Sequence, residues 1–194
     1  MESPAPLQPA DEIALLHRAR QGDETAFGIL MKTNYGYVYR LVYGIVRHEH
    51  DARDICQEVW LSVWRNLPEY QGTGKFTTWL HPIATRRALD HLRKRRRWYD
   101  RFLPFASGRD DQPDLEAVAG DDTARNAETH EARDRLDQAL AALPPLHRTV
   151  LALRELQGLS YEEIARATGI PAGTVMSRLY HARRLLAKKL KEKT

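Results

Sequence analysis

The sequence contains a single cysteine and no long hydrophobic run. One cysteine cannot form a disulfide within the chain, and Cys56 is expected to be a small buried hydrophobic residue. No apolar stretch is long enough to span a bilayer, and the N-terminal residues lack the basic start and apolar stretch of a secretory signal. We therefore expect a cytoplasmic protein with no membrane insertion. Hydrophobic residues make up 42% of the chain, which suffices for a buried core.

Residues arranged for catalysis or metal binding are also scarce. His48, His50 and Asp51 lie close together, but their spacing fits neither a helical ligand pair nor a zinc pattern. No second cluster completes a set of four ligands. A solvated helix end is the preferred interpretation, and a metal-dependent enzyme is the weaker alternative. We expect no metal, no cofactor and no catalytic residue.

Charge of one sign is concentrated in separate segments, although the whole chain carries only +4. Residues 86–101 hold eight basic and two acidic residues, and residues 174–194 hold seven basic and one acidic. Between them, residues 102–130 hold two basic and seven acidic residues. Basic runs are often only solvated helix faces. Two such patches, each beside a helical motif, favour binding to a polyanion such as nucleic acid.

Strand signals are nearly absent, and helical periodicity dominates the N-terminal half. Asp51 is expected to cap the helix "ARDICQEVWLSVWRNL". One broad arc of this helix is apolar and predicts a core-facing side: Ile55, Cys56, Val59, Trp60, Val63, Trp64 and Leu67. The other side carries Asp54, Gln57, Glu58, Leu61 and Arg65. An exposed leucine among acidic and amide side chains is typical of a protein-docking face.

A glycine-containing loop follows and leads into a basic helix in "EYQGTGKFTTWLHPIATRRALDHLRKRRR". Phe76 and Trp79 precede the arginines. Aromatic residues beside arginines can simply be core beside a charged face, but they are also what a single strand of nucleic acid needs for stacking and phosphate contact. Pro82 is expected in the first turn of this helix, where its missing N–H costs little, and the helix is expected to kink at Pro82 if this residue lies deeper.

Residues from about 101 to 129 show no sustained period, and their Pro, Gly, Ser and Asp content predicts a linker. Helical patterning resumes at Glu131, breaks at "PP" and stops at Gly158. Ser160 and Glu163 then form a capping box that opens a helix ending near Thr168. Gly169 and Pro171 predict a sharp turn into another helix. The two helices and this turn together predict a helix-turn-helix.

The last helix has two distinct sides. Val175, Leu179, Ala182 and Leu186 are expected to pack on the domain. The opposite side carries the candidates for entering a major groove: Gly173, Ser177, Tyr180, His181 and Arg184. Gly173 allows close backbone approach to phosphate, and the polar side chains offer contacts to base edges. A helical hairpin with a basic exterior is the alternative.

Two ordered blocks of the chain resemble the bacterial sigma-70 factors of the short extracytoplasmic-function (ECF) subgroup. The first block is "DARDICQEVWLSVWRNL" followed by "FTTWLHPIATRRALDHLRK", and the second is "LPPLHRTVLALRELQGLSYEEIARATGIPAGTVMSRLYHARRLL". The resemblance implies an all-α fold of two small helical domains joined by a flexible acidic linker. Its boundaries are residues 11–100 for the region 2-like domain, 101–130 for the linker and 131–194 for the region 4-like domain.

The resemblance also implies partners and site residues. Core RNA polymerase would dock on Asp54, Gln57, Glu58 and Leu61. The promoter −10 element would be melted and held by Phe76, Trp79, Arg86 and Arg93. The −35 element would be bound by Arg154, Gly173, Thr174, Met176, Ser177, Tyr180, His181 and Arg184. An anti-sigma protein would hold the chain inactive until a stress or envelope signal, and the acidic linker would follow the polymerase's RNA exit path.

Three residues depart from the family pattern in segments that contact DNA. Arg86 stands where the family usually has asparagine, Pro82 replaces a residue that is commonly basic, and Met176 replaces a usual arginine or lysine. The promoter sequence and the melting activity are therefore expected to differ from those of typical members. A two-domain helix-turn-helix regulator that is not a polymerase subunit is the rival, but it would need an α/β receiver, and alternating strand signals are not visible in the N-terminal half.

Overall fold

The computed structural model describes residues 9–72, 74–102 and 127–191. Helices without strands make up the regular structure of these ranges, which confirms the predicted all-α fold. The helices are α1 Pro9–Arg20, α2 Glu24–Val46, α3 Glu49–Asn66, α4 Phe76–Phe102, α5 Ala127–Ala141, α6 Pro145–Glu155, α7 Tyr161–Thr168 and α8 Ala172–Lys191, with a 3-10 helix at Leu67–Glu69. None of the helices described is long and apolar enough to cross a membrane.

Most of the predicted linker lies outside the described residues. At its two ends α4 continues to Phe102 and α5 begins at Ala127, so helices extend a few residues into the predicted segment. Both extensions continue the helical period of the flanking sequence past the proposed boundary, as helix ends often do.

Helices α1–α4, here called the N-terminal group, pack around α2. This helix contacts α1, α3 and α4 and buries Leu30, Leu41 and Ile45 almost completely. Asp23 caps its N-terminus by accepting a hydrogen bond from the Ala26 N–H at 3.0 Å. The long apolar stripe of α2 therefore forms the centre of this half of the molecule.

The start of α3 differs from the sequence prediction. The capping residue is His48, whose Nδ1 accepts from the Asp51 N–H at 3.2 Å, so Asp51 lies within the first turn. The Asp51 carboxylate instead accepts from Arg95 at 3.0 Å and lies 3.2 Å from Nε2 of His91, both on α4. Because the Asp51 side chain pairs with α4, it does not cap α3, and His48 is the capping residue instead.

Pro82 lies inside α4 rather than in its first turn, so that prediction is wrong. A proline at this position cannot donate to the Thr78 carbonyl one turn earlier, which costs about 3 kcal/mol in an isolated helix. Phe76 and Leu80, at 0% and 1% exposure, belong to the hydrophobic core on either side of that turn. Their burial keeps the first turn of α4 helical in spite of the missing hydrogen bond.

Helices α5–α8, here called the C-terminal group, contain the predicted helix-turn-helix. Ser160 and Glu163 form the capping box in both directions, with Glu163 Oε2 accepting from the Ser160 N–H at 2.8 Å. Gly169 has φ 72°, the left-handed conformation expected for the residue that ends α7. Val175 and Leu179 of α8 are buried, so the side predicted to pack does so.

The two groups contact each other directly. Helix α6 packs on α2, and α7 packs on α4. Buried residues from both groups belong to one continuous hydrophobic cluster. The docking and DNA-binding candidates therefore sit on one body in this structure.

Candidate protein-docking and nucleic-acid surfaces

The outward side of α3 carries an apolar residue among acidic ones, as predicted. Leu61 is 56% exposed, although Val59, Trp60 and Val63 beside it are buried. The exposed residues of this side are called the α3 face: Asp54, Gln57, Glu58 and Leu61. A large aliphatic side chain exposed among two carboxylates and an amide favours a protein partner at this position.

Polar contacts made by the α3 face are loose. His50 Nδ1 lies 3.1 Å from Asp54 Oδ2, and both side chains are more than half exposed. Arg87 of α4 lies 3.9 Å from Glu58 Oε2. Exposed pairs of this kind contribute little stability, so both carboxylates stay available to a basic partner surface.

The aromatic residues before the basic helix form one cluster with unequal exposure. The ring centroids of Phe76 and Trp79 are 5.8 Å apart, and Tyr70 lies 5.8 and 5.1 Å from them. Phe76 is fully buried, so it has no surface on which a base can stack, whereas Trp79 is partly exposed. The structure gives Phe76 the role of supporting Trp79 from the core side.

Sequence reasoning missed Tyr70 as a member of this cluster. Its side chain is 4% exposed, and its hydroxyl donates to the Gly74 carbonyl at 3.2 Å. This bond closes the glycine-containing loop in front of Trp79. The sequence signal that could have identified Tyr70 is an aromatic residue shortly before two closely spaced glycines.

The basic face of α4 continues from the aromatic cluster. Trp79, Arg86 and Arg93 follow one another at intervals of seven residues, which places them along one side of the helix at steps of about 10 Å. Both arginines are exposed, and Arg93 pairs with Asp90 at 2.7 Å on the surface. We call these three residues the α4 strip. Its pattern of one partly exposed ring followed by two cations suits stacking and phosphate contact with a single strand.

The outward side of α8 is largely exposed, as predicted. Met176 and Tyr180 are 56% and 57% exposed, and a Cβ placed on Gly173 would meet no atom within 4 Å. Ser177, His181 and Arg184 are also exposed, while Thr174 is half-buried. The residues of this side are called the α8 face: Gly173, Thr174, Met176, Ser177, Tyr180, His181 and Arg184.

Side chains of the α8 face touch one another. The Tyr180 and His181 rings meet edge to face at 5.4 Å between centroids, and the Arg184 guanidinium lies 5.6 Å from the Tyr180 ring centre. Ser177 Oγ donates to the Thr174 carbonyl at 3.0 Å. A surface helix with a ring, an imidazole and a guanidinium pointing outward offers both apolar and hydrogen-bonding contacts to base edges.

Arg154 has a structural partner that the sequence did not indicate. Its Nη1 donates to the Leu159 carbonyl at 2.7 Å, and its guanidinium lies 5.4 Å from the ring centre of Tyr161. Arg154 thereby ties the end of α6 to the start of α7. Its remaining N–H groups are the ones left for the predicted phosphate contact.

Within the described ranges, no group of three or more His, Cys, Asp or Glu side chains is arranged to hold a metal ion. His48 caps α3, and His50 pairs with Asp54, so the preferred interpretation of that cluster as a helix end agrees with the geometry. Cys56 is buried, and burial raises the pKa of its thiol to about 12. A thiol with so high a pKa stays protonated and unreactive.

The comparisons with known proteins match both halves of the chain. Residues 30–98 match the family Sigma-70 region 2, and residues 133–186 match Sigma-70, region 4. The RNA polymerase sigma-H factor of Pseudomonas aeruginosa is 36% identical over 187 residues, covering 91% of this chain and 92% of that protein. The ECF sigma factor SigE of Mycolicibacterium smegmatis is 36% identical over 170 residues, which are 85% of this chain and 63% of that protein.

Solved structures with the same fold include two complexes. CnrH in complex with the cytosolic domain of CnrY has a TM-score of 0.64 at 23% identity and covers 95% of this chain and 99% of that chain. The sigma factor RpoE of Bartonella quintana, in complex with the anti-sigma factor NepR, has a TM-score of 0.64 at 20% identity, covering 85% and 96%. With both regions matched in order and close relatives aligned along nearly all of its length, this chain belongs to the sigma-70 family of RNA polymerase sigma factors, in the ECF group.

Proposed function

We propose that this chain directs core RNA polymerase to specific promoters and starts transcription there, in a stress or envelope response. One observation carries the proposal: a single chain of this family has an exposed leucine among acidic side chains on α3 and a separate exposed face on α8. The chain acts by binding, and the polymerase supplies the chemistry. It works in the cytoplasm, where core polymerase and promoter DNA are found.

Each of the two helical groups has its own binding role. Residues 11–100 form the docking and −10 domain, residues 131–194 form the −35 domain, and the acidic segment 101–130 connects them. Core polymerase binds the α3 face, with Leu61 entering an apolar pocket and Asp54 and Glu58 meeting basic side chains. The linker's negative charge suits a channel that otherwise holds RNA.

At the −10 element the α4 strip holds the melted strand. A base released from the duplex stacks on Trp79, while Arg86 and Arg93 contact phosphates. Unstacking costs a few kcal/mol, and base stacking on an aromatic ring returns about 1–3 kcal/mol, so phosphate contacts must supply the rest. Arg86 in place of the family's asparagine adds a cation near this base.

At the −35 element the α8 face enters the major groove. Tyr180 and His181 contact base edges, and Gly173 brings the helix N-terminus close to phosphate. Arg154 contributes a phosphate contact from α6, and Ser177 and Met176 complete the surface that selects sequence. Because phosphate contacts dominate the affinity, binding to DNA falls steeply with added salt.

An inhibitory protein is the third partner. Both solved structures described above are complexes with a second protein, and one of these proteins is named as an anti-sigma factor. We propose that a protein of this kind binds the present chain and releases it on a signal.

The test is transcription in vitro with purified chain, bacterial core polymerase and a fragmented genomic library, followed by sequencing of the 5′ ends. The expected result is a set of discrete starts that share two upstream elements and disappear when the chain is omitted. Binding to core without any start would contradict the melting role of α4. No binding to core would assign the chain to helix-turn-helix regulators that act without joining the polymerase.

A further inference from the structure

The first two turns of α8 present few hydrogen-bond donors on their outward side. Gly173 has no side chain, and Met176, which is more than half exposed, carries a thioether that cannot donate. The Ser177 hydroxyl donates to the Thr174 carbonyl at 3.0 Å, which leaves its oxygen as an acceptor. Arg178 lies on the other side of the helix, about 160° around the axis from Met176. Met176 itself therefore offers a base edge carbon and sulfur, and no N–H or O–H group.

Tyr180 extends this apolar surface one turn further. Long side chains of a helix lean towards its N-terminus, so the Tyr180 ring lies over the turn that contains Met176. The His181 ring meets the Tyr180 ring edge to face, and the Arg184 guanidinium lies over it at 5.6 Å from the ring centre. These contacts hold the ring in place. Met176 and Tyr180 are called the apolar pair.

The apolar pair borders a shallow hollow between α7 and α8. Tyr161 and Leu179 form part of its mostly apolar wall, and Arg183 and Arg184 line it as well. Residues 174–194 hold seven basic residues and one acidic residue, so the surroundings of the hollow suit a phosphate backbone. The occupant that fits this combination is duplex DNA, because an apolar peptide or a lipid chain would not require the positive charge.

The four bases differ in what they present to an apolar side chain in the major groove. Guanine presents two acceptors, adenine an acceptor and a donor, and cytosine a donor, whereas thymine presents one acceptor and a C5 methyl group. Of these groups, only the methyl group gains from contact with a thioether and an aromatic ring. Opposite guanine, the same side chains would cover two acceptors without replacing the water that the acceptors lose, which is unfavourable.

We propose that the apolar pair selects thymine: Met176 and Tyr180 contact the C5 methyl group of a thymine in the major groove of the −35 element. The inference rests on the proposed function and specifies which base this part of α8 selects. His181 and Arg184, which carry donors, bind polar groups of the DNA further along the helix. Selection by α8 thus changes along its length, from a methyl contact in the first turns to hydrogen bonds in the later ones.

Removing one methyl group from the DNA tests the contact. Deoxyuridine pairs as thymidine does and differs only in lacking the C5 methyl group. Each thymine of the −35 element, on either strand, is replaced in turn, and the full chain with core polymerase is titrated with each labelled promoter. We expect at least one sensitive position, at which the affinity falls about fourfold, the effect of one buried methyl group. Equal affinities for both duplexes at every position would overturn the proposal, as would an element without thymine on either strand.

A variant of Met176 shows whether the methyl group contacts this residue. In Met176→Ala, the ratio of the affinities for the thymidine and deoxyuridine duplexes at the sensitive position should fall from about four to below about two. Ile13→Ala is the matched control, because Ile13 is a similarly exposed apolar residue on α1, and its ratio should equal that of the parent. A ratio of about four in both variants would show that Met176 does not contact the methyl group.

A change of the preferred base pair is the second test of the same residue. Met176→Arg places at this point of the groove a guanidinium, which binds the two acceptors of guanine. We expect the preferred pair at the sensitive position to change from A·T to G·C by about tenfold in competitive binding, with an unchanged melting temperature because the side chain is exposed. Retention of the A·T preference would contradict the inference.

The two levels of the argument fail differently. A parent chain that binds no promoter in the presence of core polymerase would contradict the proposed function, and this inference with it. Promoter binding without any effect of the methyl group would contradict the inference alone.

Discussion

Two regions of this molecule have opposite polarity: the seam, where α6 packs on α2 and α7 packs on α4, and the outer faces. On the outside, Leu61, Met176 and Tyr180 leave large apolar surfaces in water. Inside, Arg148 carries a full charge at 2% exposure. An exposed apolar side chain surrounded by charged and amide groups, as on the α3 face, favours a partner outside the chain. A buried cation that donates to carbonyls of both helical groups has its partners within the chain. The comparison separates the surfaces proposed to meet polymerase and DNA from the surface that is covered within the chain.

The largest expected effect comes from removing the buried cation. Arg148→Met leaves the carbonyls of Ile45, Leu140 and Ala141 without their donor, so we expect a loss of about 3 kcal/mol in the free energy of unfolding. Urea denaturation measures it. Arg166→Met, at an exposed position of α7, should change stability by less than about 0.5 kcal/mol. Equal effects of the two substitutions would remove Arg148 from the seam.

On the outer side, Leu61→Asp should weaken binding to core polymerase by about 2 kcal/mol, or about thirtyfold, without changing the melting temperature. Fluorescence titration with labelled core measures the affinity. Ile13→Asp is the control, because Ile13 is 67% exposed on α1 and lies outside the α3 face. Unchanged affinity of the Leu61 variant would place the docking surface elsewhere.

A smaller effect is expected on the α8 face. His181→Ala should reduce discrimination between −35 sequences by about 1 kcal/mol, or about fivefold, while leaving polymerase binding intact. Competitive binding to promoter variants gives the ratio. His17→Ala removes an exposed histidine from α1 and should leave discrimination unchanged. If both variants select the same sequences as the parent, His181 does not contact bases.

The smallest effect concerns pH at the seam. His81 of α4 is buried against Tyr37, and burial lowers its pKa below the ordinary value near 6.5, with the Glu163 charge on α7 acting in the opposite direction. The folded state therefore binds fewer protons than the unfolded chain as pH falls below about 6.5, and stability declines there. Above that pH the group has no effect.

Melting temperatures at pH 7.5 and 5.5 measure this decline. His81→Asn should reduce the difference between them without abolishing it, because burial also lowers the pKa of His147. The same acid sensitivity in the variant and the parent would exclude His81 as a contributor.

Local sequence signals were sufficient for most of the helix boundaries and for the orientation of α3 and α8. The capping box at Ser160, the left-handed Gly169 and the seven-residue spacing of apolar positions are all encoded within a few neighbouring residues. Signals of this range describe which side of a helix is apolar. They do not describe which other helix covers the apolar side. The predicted cap of α3 was wrong because Asp51 pairs with α4 instead.

The sequence by itself determined the all-α class, the helix-turn-helix and the exposure of Leu61, because helical periodicity and capping depend on nearest neighbours along the chain. Tertiary structure alone decided that Phe76 is buried while Trp79 beside it keeps an exposed edge, and that Arg148 reaches Ile45 across 103 residues. Such contacts arise from packing between helices, where the fit of a glycine or the burial of one charge depends on residues far apart in the sequence.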